Sequence, residues 1–197
     1  YIDRDGKVVI PPTWYDAGKF FGGTATVRVK SKEGGDDEMD TYKYGVIDSG
    51  GRSVIPLNYD NYTYFSEGLC LVKRKGGTFE GDVVWWGYLD RSGRIQIEGA
   101  WDECNSFSEG LAAVKQGDKW GYIDRNGKQA LPFLWDYAGA FSEGLAYVGT
   151  GGKSGVIDRH GKYIIQPQFE STNRIQNGMV SVQKDERWGI IDRRGNV

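Results

Sequence analysis

An Ile-Asp or Leu-Asp pair recurs along this chain with its aspartate at Asp3, Asp48, Asp90, Asp124, Asp158 and Asp192, and the last four are spaced by 34 residues. A fixed period of this size marks a tandem array, because one such unit cannot bury its apolar face alone and stacked neighbours supply the core. The earlier spacings of 45 and 42 are lengthened by insertions at one point of the repeat, near residues 31–43 and 73–85. The 197 residues therefore read as a single array over 1–197, about five repeats plus a partial one.

Each aspartate lies in a stretch of the type "KWGYIDRNGK", with variants "KYGVIDSGGR", "WWGYLDRSGR", "KSGVIDRHGK" and "RWGIIDRRGN". Asp-x-x-Gly is the favoured filling of a type I turn, in which Asp accepts backbone N–H groups and Gly takes positive φ. Upstream, "GLAAVKQGDKWGYID" reads as strand, tight turn, strand. Downstream, "KQALP" and "RSVIP" read as a third short strand stopped by a proline that cannot donate to a ladder. A link of about a dozen residues, typified by "FLWDYAGAFSEG", completes the unit. In it an aromatic residue precedes an acid, aligned as Asp16, Asp60, Asp102, Asp136 and Glu170.

Side chains two apart share a strand face. The small column Ala25, Cys70, Ala112, Ala146 and Val180 thus joins the column Val27, Val72, Val114, Val148 and Val182 on the predicted core face. Between them stand Thr26, Leu71, Ala113, Tyr147 and Ser181, the mixture expected where packing does not dictate identity. Thirty glycines and 14% aromatic residues suit short strands and tight turns rather than long helices. The predicted fold is all-β: three-stranded antiparallel meanders of about 34 residues stacked in an open β-solenoid or superhelix. A closed β-propeller is the alternative, disfavoured because blades usually need four strands and about 40 residues.

The joint pattern of "KWGYIDRNGK", a following proline, an aromatic-Asp pair and "FSEGLAYV" resembles the bacterial WG-repeat family, also called KWG repeats. The likeness covers the chain except the two insertions. Tyr44 and Ser154 depart from it at the Trp position, Glu98 and Gly99 at the proline, and "FESTNRIQNG" in the fifth link. The resemblance implies a β-rich repeat module, often part of larger bacterial proteins, with no general enzymatic activity. More loosely, "KWGYIDRNGK" is similar to the aromatic hairpins of choline-binding cell-wall modules.

Little in the sequence suggests catalysis. The six aspartates read as turn acceptors, and Asp60, Asp102 and Asp136 as caps of link turns or partners of nearby Lys and Arg. The single histidine, His160 in "DRHG", excludes histidine-cluster metal sites. "GTGGKSG" lacks P-loop spacing, and the loop with Asp36, Asp37, Glu38 and Asp40 lacks the order of an EF-hand. No catalytic residue, metal site or cofactor is expected. Cys70 and Cys104 read as small packed thiols, and the compartment stays open.

A net charge of -2 from 25 basic and 27 acidic residues leaves no electrostatic footprint for nucleic acid. No apolar run approaches the roughly 18 residues of a membrane span. Because the chain begins in mid-motif, it reads as an excerpt, and a missing leader says little about export. Trp86, Trp120 and Trp188 recur in register and read as packing between units, each followed by a Gly that lets a neighbour come close.

Function is expected where the repeats disagree. The insertions occupy the same hairpin tip of neighbouring repeats, which places them side by side and makes Asp36, Asp37, Glu38, Lys73, Arg74, Lys75, Phe79 and Trp85 a candidate interaction surface. The expected role is a non-catalytic scaffold binding a protein partner, among them other domains of the same full-length protein. The alternative is a carbohydrate or cell-envelope ligand module using the link aromatics Trp101 and Trp135.

Overall fold

Six copies of one turn organise the chain, each closed by hydrogen bonds that the sequence period anticipates. In the fourth copy Asp124 N donates to Lys128 O at 2.8 Å and Gly127 N to Asp124 O at 3.0 Å, with Gly127 at φ 76. The structure, a computed structural model, describes residues 1–31, 41–62, 65–76, 83–194 and 196. Among these every regular element is a strand.

The strands form successive antiparallel sheets, each in chain order. The first holds β1 (Asp16–Ala17), β2 (Thr24–Lys30), β3 (Tyr42–Asp48) and β4 (Ser53–Tyr59). The second holds β5 (Asn61–Tyr62), β6 (Leu69–Gly76), β7 (Val83–Asp90) and β8 (Ile95–Gly99). The third holds β9 (Glu103–Cys104), β10 (Leu111–Gln116), β11 (Lys119–Asp124) and β12 (Gln129–Trp135). The fourth holds β13 (Tyr137–Ala138), β14 (Leu145–Thr150), β15 (Lys153–Asp158) and β16 (Tyr163–Phe169). The fifth holds β17 (Ser171–Gln176), β18 (Met179–Lys184) and β19 (Arg187–Asp192). The predicted meander is present, and in four sheets the link adds a two-residue strand to it. The chain divides into two compact units, Tyr1–Gln96 and Ile97–Val197.

The third long strand does not stop at its proline. Pro56, Pro132 and Pro167 lie inside β4, β12 and β16, which are edge strands, so the missing N–H costs no ladder bond. Each strand bulges there: Ser154 pairs with Phe169 and Val156 with Ile165, setting four residues of β16 against two of β15. The bulge explains the Gly of the WG pair. A Cβ on Gly155 would lie 2.6 Å from Ile165 O, and one on Gly45 2.6 Å from Ile55 O.

The core forms between sheet faces. In the second unit Ala113, Trp120, Tyr122 and Trp135 of the third sheet pack on Ala138, Ala146, Val148 and Ile157 of the fourth. The other face of the fourth, through Val156 and Ile165, meets Val180, Val182 and Ile191 of the fifth. In the first unit Val46, Ile55 and Tyr59 pack on Cys70, Val72 and Leu89, while Ile10 and Tyr1 cover Ala25, Val27 and Ile47. Fully burying one such aliphatic side chain contributes about 1.5–3 kcal/mol. Thr26, Leu71 and Ala113 of the mixed column are buried too. Cys70 and Cys104 are buried thiols, neither in a disulfide. The outer face of the fifth sheet differs: Trp188 and Ile190 are 52% and 59% exposed.

Candidate functional site

The recurring acids are committed to the backbone. In all six copies Oδ1 of the Asp accepts the N–H groups two and four residues on: Asp5 and Lys7 at Asp3, Gly50 and Arg52 at Asp48, Ser92 and Arg94 at Asp90. Asp124, Asp158 and Asp192 repeat the pattern. The Ser92 hydroxyl, the Lys128 N–H and the Asn196 side chain, respectively, hold Asp90, Asp124 and Asp192 below the usual carboxylate range. A carboxylate stabilised as an anion at an exposed turn is a poor general acid. His160 is exposed, in the turn made by Asp158.

The link acids cap a turn about fifteen residues ahead. Asp102 Oδ2 accepts Gly117 N and Asp136 Oδ2 accepts Gly151 N, each at 2.7 Å, and Glu170 accepts Asp185 N and Glu186 N at 3.2 Å. The Lys of the KWG-type motif supplies the second bond: Lys43 Nζ donates to Asp60 at 2.8 Å, and Lys119 Nζ donates to Asp136. Lys119 holds Asp136 below the usual carboxylate range. Thus a lysine of one sheet is tied to the acid that starts the next.

The "SEG" turn carries a second tie. Glu67, Glu109 and Glu143 all have positive φ, at 51, 53 and 54, a conformation costing an L-residue roughly 1–2 kcal/mol. Asn or Gly would fit this place without side-chain reach. Glu143 instead accepts Asn177 N at 2.6 Å and Gly178 N at 2.7 Å in the following turn, and Arg193 Nη2 at 3.0 Å. Glu109 accepts Gly144 N at 2.9 Å and faces Arg159 at 3.6 Å. In the first unit Arg91 Nη1 likewise donates to Gly22 O at 3.0 Å.

Of the candidate interaction residues, Asp36, Asp37, Glu38 and Phe79 lie outside the described residues, as does the side chain of Lys75. Lys73 and Arg74 lie on β6, paired with Trp86 and Trp85 of β7. Lys73 Nζ sits 5.0 Å from the centre of the Trp86 ring. Trp85 packs inward on the core with Tyr59, so it belongs to the sheet interface rather than to an open surface. Among the link aromatics, Trp101 is half-buried, its ring lying across Gly99. Trp135 is only 2% exposed, donates Nε1–H to Tyr163 OH at 3.1 Å and packs edge-on to Tyr122. No ring face of Trp135 is left for a ligand.

The first link is offset by one residue from the alignment that its aromatic-Asp pair suggests. Trp14, not Tyr15, stands thirteen residues before its Val, as Trp101 and Trp135 do. Tyr15 N donates to Arg28 O as Asp102 N does to Lys115 O, so Tyr15 fills the acid position and Asp16 falls one residue later. Asp16 instead pairs with Arg28 at 3.1 Å. The Arg28 guanidinium lies 4.6 Å from the Tyr42 ring centre and 5.5 Å from that of Tyr15, and Lys30 Nζ lies 5.5 Å from the latter. Beside it an open cavity of about 240 Å³ is lined by Asp16, Gly18, Thr26, Arg28 and Tyr44. Tyr44 stands where three of the other repeats carry Trp, a departure visible in the sequence, but the cavity is lined by residues from three strands.

The comparisons agree with this architecture. A search of curated proteins finds no match. Among solved structures, a chain described as "Crystal structure of the eukaryotic initiation factor" is similar in fold, with a TM-score of 0.55 at 11% identity over 88% of this chain. The present chain spans 50% of that one, and at such identity the likeness concerns the fold alone. The family model described as WG containing repeat matches residues 1–32, 44–78, 86–120, 120–153 and 155–188, which together take in part of each sheet, five of the six turn acids and Lys119. The chain belongs to the family of WG containing repeat proteins.

Proposed function

We propose that this chain is a non-catalytic scaffold that binds a protein partner through the two longest hairpins of its first unit, β2–β3 and β6–β7. The observation that carries this reading is the set of cation–aromatic pairs on those hairpins and the link beside them: Arg28 and Lys30 with Tyr15 of the first link, Arg28 with Tyr42, and Lys73 with Trp86. Arg, Tyr and Trp are the residues that most often dominate interface energetics. The recurring acids give further support, since their lone pairs serve turns and lysines instead of converging in a cleft. Capture from a native lysate by the wild-type chain is compared with Lys73→Glu/Arg74→Glu and with deletion of residues 32–40 and 75–83. The expected result is loss of the same bound protein in both variants with an unchanged far-ultraviolet spectrum. Equal capture by all three overturns the reading.

A glycan held by the link aromatics is the second reading, and burial of Trp135 confines it to Trp101. Tryptophan fluorescence unmoved by sugars in wild type and Trp101→Phe alike removes it.

A further inference from the structure

We propose that the cavity between Asp16, Gly18, Thr26, Arg28 and Tyr44 is a binding pocket for a neutral sugar unit. It goes beyond the protein-binding reading and uses neither the inserted loops nor the link aromatics.

At two places around the cavity this repeat carries a smaller side chain than one of the other repeats does. The position of Gly18 in the first link is that of Gly139 in the fourth sheet: Gly18 N donates to Thr26 O at 2.8 Å, and Gly139 N to Tyr147 O at 2.9 Å. In the fourth sheet the Tyr147 ring lies across Gly139, so that a Cβ there would come within 2.5 Å of it, and Tyr147 stacks on Tyr137 at 5.7 Å. In the first sheet the much smaller Thr26 occupies that place and approaches Gly18 no closer than 3.7 Å by the same measure. At the Trp position the third sheet has Trp120, buried and edge-on to Tyr137, whereas the first has Tyr44. Thr26 is thus smaller than Tyr147 and Tyr44 smaller than Trp120, while the third sheet has Ala113 at the first of these places and the fourth Ser154 at the second; beside Asp16 and Arg28 about 240 Å³ is open. That lies just below the ~300–1,000 Å³ typical of pockets for drug-sized ligands, a size suited to one small molecule.

The chemistry of the walls selects the ligand. Asp16 Oδ2 and Arg28 Nη2 are 3.1 Å apart, so the pocket presents a strong acceptor and a strong donor side by side. Arg28 also bonds Tyr44 and lies over the rings of Tyr42 and Tyr15, contacts that orient its planar guanidinium before any ligand arrives. An anion entering here meets Asp16, and a cation meets Arg28. A sugar hydroxyl donates and accepts at once, and two adjacent hydroxyls match the Asp–Arg pair without unpaired charge.

Saturation-transfer NMR on the full chain tests this with glucose, galactose, mannose and N-acetylglucosamine, using inorganic phosphate and choline as charged probes. At least one neutral sugar is expected to bind. Asp16→Asn and Arg28→Gln are expected to weaken it at least about tenfold, the loss of one charge-assisted hydrogen bond. Thr26→Tyr, which recreates the filling seen at Tyr147, is expected to abolish binding while the melting temperature holds. Absence of any sugar signal in the wild type overturns the proposal, as does binding that survives Arg28→Gln and Asp16→Asn, or a preference for phosphate or choline. The Lys73→Glu/Arg74→Glu variant leaves Asp16, Thr26, Arg28 and Tyr44 in place and is expected to lose protein capture with these signals unchanged, so the two readings fail separately.

Discussion

Glu143 Oε2 accepts the backbone N–H of Gly178 at 2.7 Å, joining the turn of one repeat to the turn of the next through a residue held at φ 54. Bonding to Gly178, Asn177 and Arg193 holds its carboxyl below the usual range, so the anion is the species the fold uses. Glu143→Gln is expected to lower the melting temperature despite near-identical shape. Glu143→Gly is expected to lower it as well, although Gly relieves the positive φ. A melting temperature raised by Glu143→Gly would mean that backbone strain outweighs the tie.

The WG glycine gives a paired prediction. A Cβ on Gly155 meets Ile165 O at 2.6 Å, whereas one on Gly189 meets nothing within 4 Å. Gly155→Ala is expected to destabilise by about 1–3 kcal/mol through overpacking against backbone. Gly189→Ala, at the same repeat position, is expected to change stability by less than about 0.5 kcal/mol. Urea denaturation of the two variants separates the bulge explanation from a general need for Gly after Trp.

Trp120 and Trp188 also share a column, at 7% and 52% exposure. Trp120→Ala is expected to cost about 3–5 kcal/mol, the range for a large core side chain. Trp188→Ala should fall well short of this, because half the ring already faces water. Equal losses in chemical denaturation would refute the difference in burial.

Alkaline pH should find the buried phenols. Burial pushes the Tyr122 hydroxyl well above its ordinary value and Tyr137 up to about 12. Above the unfolded value of about 10 the unfolded chain releases protons that the folded chain keeps, so stability is intact below that pH and falls as pH rises beyond it. Tyr122→Phe should flatten this alkaline loss. The same variant removes the Tyr122 OH bond to Gly139 O at 2.7 Å and should cost about 1–3 kcal/mol at neutral pH. An unchanged alkaline slope in thermal melts would count against the assignment.

Acid should act with the opposite sign. Asp124, Asp136 and Glu143 are lowered by their hydrogen bonds, so they favour folding above the ordinary carboxylate range and lose that contribution as pH falls through their folded values. Asp124→Asn should weaken the acid dependence of the melting temperature; an identical profile would exclude the turn acid as a contributor.

Much of this architecture is local, and local chemistry is legible. Asp124 bonds the N–H groups of Asn126 and Lys128, so the turn is written within five consecutive residues, and its recurrence reveals the repeat. Column patterns likewise located the strands and the Ala112–Val114 core face. The prolines misled because a residue that cannot donate to a ladder is harmless on an edge strand, and sequence does not say which strand is the edge. The first link was misread because "WYD" offers two aromatic-first alignments, and only the bond from Tyr15 N to Arg28 O selects one.

The candidate sites show the same division. By itself the sequence determined the repeat, its turns, the all-β class and the positions at which repeats disagree, since each rests on residues near one another in the chain. Tertiary structure decided that Trp135 is core, that Trp85 packs inward, and that Lys119 and Glu143 tie one sheet to the next. It also decided that a space opens beside Arg28, between residues of β1, β2 and β3. Those outcomes depend on what a neighbouring strand or sheet places opposite a side chain, and that distance is set by packing rather than by spacing along the chain.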